Sequence, residues 1–546
     1  MMRALAVASL LLAFSPVLGA QNTSSASFSI SGTVVSASTG SPLGRAEVTL
    51  STAVPNGSQI AEAITSENGG FRFDRLEAGN YRLEGSRRGY IAAGYQEHDG
   101  FYTGVVAGPG LDTSGLRLAL EPTAVIGGTV TDESGEPVAG ARVRLFLQDQ
   151  RNGEERTVGT QTEMTDDSGA YEFLRVRAGT FYVSVSATPW FAFHPGPKTD
   201  PSGNLLPVDQ QPRSPLDVAY PTTFYENGTD SDSATPITVK AGDRVEVDFS
   251  LHAVPAIHIQ VRLPPPVEGR GMPMPQLAQQ AFGADEYSNA TQFTAGTPSG
   301  GMVADFSGIA PGHYVLRQFG VQGESTGTAT VDLTTNQTVD LASTASGVDI
   351  SGKIAEASGN VLAPQTRVSL ESVESSEARY SVVAAGDGIF HFHSVAAGSY
   401  DVHVSSLDGA TVVLQMLASG AEAQGNRLTV AGQPVLLAAT LARGATTVTG
   451  YARQNNKRTG GVMILLVPRN AALHDLYRRD QTDTDGSFRL DRVVPGDYTL
   501  VAIDNGWTLE WARPEVMAPY LARGVHVRVA SQRTLELSAP VEVQSR

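Results

Sequence analysis

The sequence contains no cysteine, and this absence excludes disulfide bonds, thiol catalysis and lipid attachment through a cysteine. An exported chain without disulfides must be stabilised by the burial of apolar side chains alone. Basic residues are also scarce, since 39 Lys and Arg stand against 56 Asp and Glu and give a formal net charge of −17. Nucleic acids and anionic membranes attract basic faces, so the composition argues against both as partners.

Long apolar runs are absent after the N-terminal segment, so the sequence predicts no membrane span in the rest of the chain. Residues 1–20 contain one Arg, an apolar stretch from Ala4 to Phe14 and small residues before Gln21. This pattern is typical of a secretory signal peptide, with an uncleaved anchor as the alternative. We therefore expect an exported protein that resides in the periplasm, at the cell surface or outside the cell.

One short segment recurs five times, as LEAGNYRLEG, VRAGTFYVSV, IAPGHYVLRQ, VAAGSYDVHV and VVPGDYTLVA. Each copy has a glycine followed two residues later by an aromatic residue. A glycine after Pro or Ala suits a type II turn, in which it adopts a positive φ, and the ring then points into a core. We therefore expect Gly79→Val to unfold its own unit and leave the others folded. The predicted turn glycines are Gly79, Gly179, Gly312, Gly398 and Gly496.

The neighbours of each copy also recur, because a strand containing a glycine (ISGTVV, IGGTVT, ISGKIA, VTGYAR) and an aromatic strand such as GFRFDRL precede it. Apolar and polar residues alternate with period two, which indicates strands with one buried face. Several such strands in about 100 residues predict an antiparallel Greek-key sandwich. The sequence thus predicts an all-β tandem array with units at 21–121, 122–253 (aromatic and Pro-rich insertion 188–226), 254–345 (degenerate), 346–443 and 444–546.

Units one, two, four and five strongly resemble a known family, and unit three does so faintly; the resemblance is illustrated by units one and two. SGTVVSASTGSPLGRAEVTL with NGGFRFDRLEAGNYRL, and TVTDESGEPVAGARVRL with DSGAYEFLRVRAGTFYV, are similar to the carboxypeptidase regulatory-like domain. That family has a transthyretin-like (prealbumin-like) sandwich, classed with carbohydrate-binding-like folds and related to the B-type repeats of collagen adhesins. The resemblance implies a non-catalytic accessory module, here in a tandem secreted bacterial protein.

Catalytic motifs give little support to an enzyme. Neither HxxE with a distant His nor HExxH occurs around the ten histidines. One GxSxG motif spans Gly323 to Gly327, but the TATVDL that follows alternates like a strand, whereas a nucleophile elbow leads into a helix. The sequence therefore predicts no enzyme and no cofactor.

Two acidic or histidine-rich patterns are candidate metal sites. HFH and the following VHV place His391, His393 and His403 on two successive strands, where they form a metal site or, as the alternative, a solvated surface. Asp483 and Asp485 in TDTDGSF resemble part of a calcium loop, although a hairpin turn explains the same residues.

Aromatic residues in loops are the candidate ligand-binding residues. Their flat rings can stack on sugar faces, and exposed aromatic residues concentrate at binding sites. The alternative is that they close the ends of the sandwiches or pack between neighbouring units. The candidates are Trp190, Phe191, Phe193, Tyr220, Tyr225, Trp507 and Trp511.

We therefore expect a non-enzymatic, exported multidomain protein of the cell envelope that binds a polysaccharide or another envelope protein. A mechanical spacer or adhesion stalk is one alternative, and an accessory subunit of an exported peptidase or glycosidase is another. Short connections between repeats favour a semi-rigid rod, in which weak contacts on successive units add up to avidity.

Overall fold

A computed structural model describes residues 27–53, 57–151, 153–201, 206–263, 274–282, 284–289, 292–295, 302–319, 325–341, 347–373, 379–407, 411–531 and 533–546. The predicted signal peptide at 1–20 lies outside the described residues. We refer to the successive sandwiches as units one to five.

Unit one consists of two facing sheets with the strands β1 (Phe28–Ser36), β2 (Glu47–Thr52), β3 (Gln59–Ile64), β4 (Gly70–Leu76), β5 (Gly79–Ser86), β6 (Ala93–Gly94), β7 (Val105–Ala107) and β8 (Leu116–Leu120). In one sheet β1 pairs antiparallel with β4 and parallel with β8. In the other sheet β2 lies between β3 and β5, and β5 also pairs with β6 and β7. The inward side chains, among them Ile30, Leu50 and Leu83, form a core within this unit.

Unit two repeats this plan with β9 (Ala124–Thr131), β10 (Arg142–Arg151), β11 (Glu154–Met164), β12 (Ala170–Val176), β13 (Gly179–Ser186), η1 (Val208–Gln210), β14 (Val218–Ala219), β15 (Thr223–Phe224), η2 (Ser231–Ser233), β16 (Ile237–Val239), β17 (Arg244–Glu246) and β18 (Phe249–Ser250). β9 pairs antiparallel with β12 and parallel with β17 and β18. β13 pairs with β10, β15 and β16, so the insertion contributes β15 to the sandwich.

Unit three contains β19 (Val254–Pro255), β20 (Ile257–Leu263), β21 (Met274–Ala281), β22 (Ala284–Asn289), β23 (Gln292–Ala295), β24 (Met302–Ile309), β25 (Gly312–Phe319), β26 (Ser325–Leu333) and β27 (Gln337–Asp340). The sheet orders are β23-β24-β20-β27 and β22-β21-β25-β26. β19 pairs with β14 of the unit-two insertion, so the insertion is attached to this unit as well.

Unit four contains β28 (Val348–Glu356), β29 (Arg367–Ser372), β30 (Arg379–Val383), β31 (Ile389–Val395), β32 (Gly398–Ser405), β33 (Thr411–Ser419), β34 (Ala421–Gln424), β35 (Arg427–Val430) and β36 (Val435–Arg443). Its sheet orders are β31-β28-β36-β33 and β30-β29-β32-β35-β34.

Unit five contains β37 (Thr446–Gln454), β38 (Lys457–Arg458), β39 (Met463–Pro468), η3 (His474–Leu476), β40 (Arg478–Gln481), β41 (Ser487–Val493), β42 (Gly496–Ile503), η4 (Gly506–Thr508), α1 (Pro514–Leu521), β43 (Val525–Val529), β44 (Thr534–Glu536) and β45 (Val541–Gln544). β37 pairs antiparallel with β41 and parallel with β44, while β42 lies between β39 and β43. β45 pairs with β37 and with β42 and so joins the two sheets.

The predicted all-β tandem array of sandwiches is confirmed, and each unit has a core of its own. The sheets are not purely antiparallel, however. In every unit the first strand lies between the aromatic strand and a strand near the end of the unit, and the second of these pairings is parallel. The chain must therefore cross from one sheet to the other before it returns beside its own first strand.

The predicted type II turns are wrong. Gly79, Gly179, Gly312 and Gly496 do not have a positive φ, and each is the first residue of a strand; Gly398, at φ 151°, also opens a strand. Gly79 is already paired with Ala107 of β7, which requires extended backbone. In units one, two and five, a residue of the preceding strand has the positive φ instead, as at Arg75 with φ 60°, where the strand register shifts in a β-bulge.

In four of the five units the aromatic residue after this glycine is a tyrosine, which is held by its hydroxyl as well as its ring. Tyr81 Oη donates to the carbonyl of Glu77 at 2.7 Å, and Tyr314, Tyr400 and Tyr498 donate to the carbonyl four residues upstream at 2.8–2.9 Å. This is the tyrosine-corner arrangement, which fixes the chain as it enters a strand. The sequence reasoning assigned the shared role to the ring alone, because unit two has Phe181 at this position.

Candidate functional site

Two of the predicted ligand-binding rings are buried inside the protein. Trp507 and Trp511 are 8% and 9% exposed and belong to one apolar cluster with Met463, Leu465 and Val501 of unit five. Rings buried to this extent have no free face for a sugar. The alternative prediction, that such rings pack within or between units, describes both tryptophans.

The partner of this cluster is a loop of unit one. The His98 ring stacks on Trp507 with centroids 5.4 Å apart and an interplanar angle of 5°, and the Phe101 ring lies 5.7 Å from Trp507. The Arg479 guanidinium lies over the rings of Phe101 and Trp511 at 4.7 and 5.3 Å. Units one and five are therefore joined although they lie at opposite ends of the sequence.

Polar groups surround these rings. Asn80 Nδ2 donates to Asp483 Oδ2 at 2.6 Å, the backbone N–H of Gly104 donates to Asp483 Oδ1 at 3.0 Å, and the backbone N–H of Thr484 donates to the carbonyl of Gly104 at 2.9 Å. Arg479 forms an ion pair with Asp99 at 2.5 Å. We call this interface the clasp, and define it by Asn80, His98, Asp99, Phe101 and Gly104 of unit one and Arg479, Asp483, Thr484 and Trp507 of unit five.

A hairpin of unit two extends the clasp. The backbone N–H of Ala512 donates to the carbonyl of Gly153, and a Cβ at Gly153 would lie 2.5 Å from the Trp511 ring. The prediction of a semi-rigid rod is therefore wrong, because units one and two both contact unit five. Local sequence patterns describe single units and carry no information about contacts between residues some 400 positions apart.

The clasp contains acidic groups that are removed from water. Burial raises the pKa of Asp483 to about 6, against the hydrogen bonds from Ser487, Gly104 and Asn80, and burial raises the pKa of Asp480 to about 7. The carboxyl of Asp483 holds its proton more tightly when the clasp is closed than when it is open. Ionisation of Asp483 therefore reduces the stability of the clasp as the pH rises from about 4 to about 6.

We therefore expect the melting temperature of Asp483→Asn to rise relative to that of the wild type as the pH increases from about 4 to about 6, because the neutral amide has no charge to desolvate. The measurement is thermal unfolding across this range, with Asp485→Asn in the same turn as the control. A difference that is constant with pH, or that favours the wild type at high pH, would contradict this account.

The aromatic residues of the unit-two insertion divide into two groups. Trp190 and Phe193 are 80% and 60% exposed, and the half-buried Phe191 ring meets Trp190 edge-on at 5.8 Å. Tyr220 is buried and Tyr225 is partly buried, and both belong to the unit-two core. Of the predicted residues, Trp190 and Phe193 alone present mostly exposed rings.

The exposed rings are held by a fixed loop. His194 Nδ1 lies 2.9 Å from Asp217 Oδ1, and His258 Nε2 of unit three lies 2.7 Å from Asp217 Oδ2. The backbone N–H of Phe193 donates to the carbonyl of Leu216 at 2.8 Å. Asp217 and His258 are both buried, so this link between units two and three is shielded from solvent.

The predicted histidine site does not assemble. His391 and His393 are exposed on β31, but His403 is on β32, which belongs to the opposite sheet of unit four. His403 Nδ1 lies 3.1 Å from Asp475 Oδ1, and this hydrogen bond raises the pKa of His403. Among the described residues, no group of three or more His, Asp or Glu side chains is arranged to hold a metal ion. The prediction failed because successive strands were assumed to be neighbours in one sheet.

The two remaining motifs are structural. Asp485 accepts a hydrogen bond from the backbone N–H of Ser487 at 3.0 Å, and Asp483 serves the clasp, so the calcium-like segment forms a hairpin turn. Ser325 is the first residue of strand β26, as the alternation predicts, so the chain leads from Ser325 into a strand and not into a helix.

Within the described ranges, the structure has no helix that is both long and apolar enough to cross a membrane. No curated protein sequence matches the chain. Among solved structures, the Bacillus anthracis TIE protein is 12% identical, with coverage of 77% of this chain and 75% of its own and a TM-score of 0.17. The minor pilin GBS52 of Streptococcus agalactiae is 13% identical, covering 44% and 99%, with a TM-score of 0.21. The shaft pilin of Lactobacillus rhamnosus GG is 9% identical, covering 41% and 98%, with a TM-score of 0.19.

Family comparison identifies the repeats directly. Residues 446–519 match the model described as BOS complex subunit NOMO1-like, second beta sandwich domain. Residues 29–110 and 125–190, in units one and two, match the carboxypeptidase regulatory-like domain. Units one and two of the array are therefore carboxypeptidase regulatory-like domains.

Proposed function

We propose that this protein is an exported, non-enzymatic binding protein of the cell envelope, and that its ligand is a polysaccharide. The observation that carries the proposal is the contrast among its tryptophans. Trp507 and Trp511 are buried in the clasp, whereas Trp190 is 80% exposed beside Phe193 on an anchored loop. An exposed tryptophan forgoes the stabilisation that burial of its apolar ring would give. Exposed apolar surface of this kind is typical of a recognition site.

The arrangement of the units supports a binding role over a mechanical one. A stalk transmits force along an extended array, but the clasp joins unit one to unit five. Such an assembly is suited to holding the insertion of unit two in a fixed position, which reduces the entropy lost on binding. Regulatory-like domains also supply no catalytic group of their own, consistent with a non-enzymatic role.

The test is retention of the purified full chain on insoluble polysaccharides, namely cellulose, chitin, xylan and starch. We expect retention on at least one matrix and loss of about tenfold or more in affinity for Trp190→Ala, if a sugar face stacks on the ring about as strongly as a nucleic-acid base, at roughly 1–3 kcal/mol. Leu407→Ala is the matched control, because Leu407 of unit four is 84% exposed. Equal retention of the wild type and Trp190→Ala, or no retention on any matrix, would overturn the proposal.

A further inference from the structure

A cavity of about 290 Å³ lies where units two and three meet. Unit two contributes Thr188, Tyr220 and Thr222 to its wall, and unit three contributes Gln279 and Gly308. The volume is close to the lower limit of about 300 Å³ for small-molecule sites, which suits one ring-sized group and excludes an oligomer. Junctions between domains are common positions for such sites.

The cavity wall carries fixed polar groups. Thr222 Oγ1 donates to Gln279 Oε1 at 2.8 Å, so the amide is oriented and its Nε2 group remains as a donor at the wall. Tyr220 is buried, and burial raises its pKa to about 12, so its phenol keeps the proton that it can donate. The wall therefore offers hydroxyl and amide groups beside an aromatic ring, together with the Arg142 guanidinium, a combination of donors and acceptors that suits a polyhydroxylated ligand.

The loop that carries the exposed rings is attached beside this cavity. The segment that carries Trp190 and Phe193 follows Thr188, which lines the cavity. A Cβ at Gly308, another wall residue, would lie 2.5 Å from His194 Nε2, so the imidazole is seated against the cavity wall. Both ends of the loop are therefore fixed at the rim.

We propose that this cavity binds a single terminal sugar residue, and that the Trp190 loop stacks on the next residue of the same glycan. The inference rests on the proposed function and assigns its site. Recognition would depend on Gln279, Thr222 and Tyr220 for the terminal residue, and on Trp190 and Phe193 for the extension.

The experiment is isothermal titration of the full chain with the monosaccharide and the di- to hexasaccharides of glucose, N-acetylglucosamine and xylose. We expect Gln279→Leu and Thr222→Val to weaken the binding of both the monosaccharide and the longer ligands by about tenfold or more. The reason is that sugar hydroxyl groups in the cavity would lose their hydrogen-bond partners. Trp190→Ala should weaken only the longer ligands. Thr222→Ser keeps the hydroxyl and should restore binding, which separates recognition from misfolding.

The outcomes distinguish this inference from the proposed function. If the oligosaccharides bind and Trp190→Ala weakens them, but Gln279→Leu and Thr222→Val bind like the wild type, the cavity is not the site and the proposed function still stands. If none of the sugars binds, both are overturned. If Thr222→Ser is as defective as Thr222→Val while its melting temperature is unchanged, the hydroxyl is not the recognised group and the inference is wrong.

Discussion

Replacement of Gly32 by valine is expected to unfold unit one. A Cβ at this position would lie 2.2 Å from the carbonyl oxygen of Leu116 in the parallel strand β8 and 2.8 Å from the Phe71 ring. The strand backbone and a buried ring cannot both move without loss of the sheet pairing. We expect destabilisation of more than about 3 kcal/mol, a large part of the stability of a single domain.

Hydrogen–deuterium exchange with mass spectrometry measures this effect unit by unit. Amides of β1, β4 and β8 should lose protection in Gly32→Val, whereas units three and four should keep theirs. Gly79→Ala is the control, because a Cβ at Gly79 would lie 3.8 Å from the Tyr81 ring, an ordinary contact. The unfolding of unit one that the sequence predicted for Gly79→Val is therefore not expected from the structure, in which Gly79 has no positive φ. Full protection of unit one in Gly32→Val, or equal loss in Gly79→Ala, would contradict the account.

Unit three shows how the fold accommodates a larger residue at the position that glycine occupies in the other units. Where the other units have glycine opposite an aromatic residue, unit three has Val261 opposite Ala304, and both are buried. In unit one the same positions are Gly32 and Phe71. A larger strand residue is thus accompanied by a smaller partner, as close packing requires. The degenerate sequence of unit three is a repacking of the same position.

Replacement of Trp507 by alanine has the second large expected effect. Trp507 contacts His98 and Phe101 of unit one and lies in the apolar cluster of unit five, so its removal should open the clasp and destabilise the chain by about 3–5 kcal/mol. Phe101→Ala removes a ring from the unit-one side and should open the clasp with less damage to unit five.

Trp190→Ala is the matched control, because a ring that is 80% exposed should change stability by less than about 0.5 kcal/mol. Small-angle X-ray scattering should show a larger radius of gyration for Trp507→Ala and Phe101→Ala, and the wild-type value for Trp190→Ala. An unchanged radius for both clasp variants would show that the rings do not hold the two ends together.

The fold was largely predictable because it follows from patterns among neighbouring residues. Period-two alternation such as Phe71 and Phe73 on one face of GFRFDRL is a property of neighbouring residues, and both side chains are buried as predicted. Repetition strengthened the prediction, since the same pattern recurs in every unit. The turn conformation was missed because the positive φ belongs to Arg75, a residue type with no preference that marks it, and not to Gly79.

The candidate site was predictable only in part. Trp190 and Trp507 both follow the aromatic-led strand of their units, and the sequence offers no local difference between a ring in water and a ring in an interface. The clasp could have been suspected from the aromatic loop GYQEHDGFYTG of unit one, but pairing it with unit five requires tertiary structure. His403 illustrates the same limit, because sheet membership decides which side chains meet.

The most direct test of the clasp is the distance between units one and five in a chain whose clasp residues are unchanged. The chain has no cysteine, so Gln96→Cys and Lys457→Cys provide two unique sites for spin labels. Gln96 lies beside unit five, with its Oε1 atom 2.9 Å from the Cβ position of Gly461, and the nearby Lys457 is exposed. Double electron–electron resonance should give one narrow, short distance. A broad distribution at long distances would contradict the account.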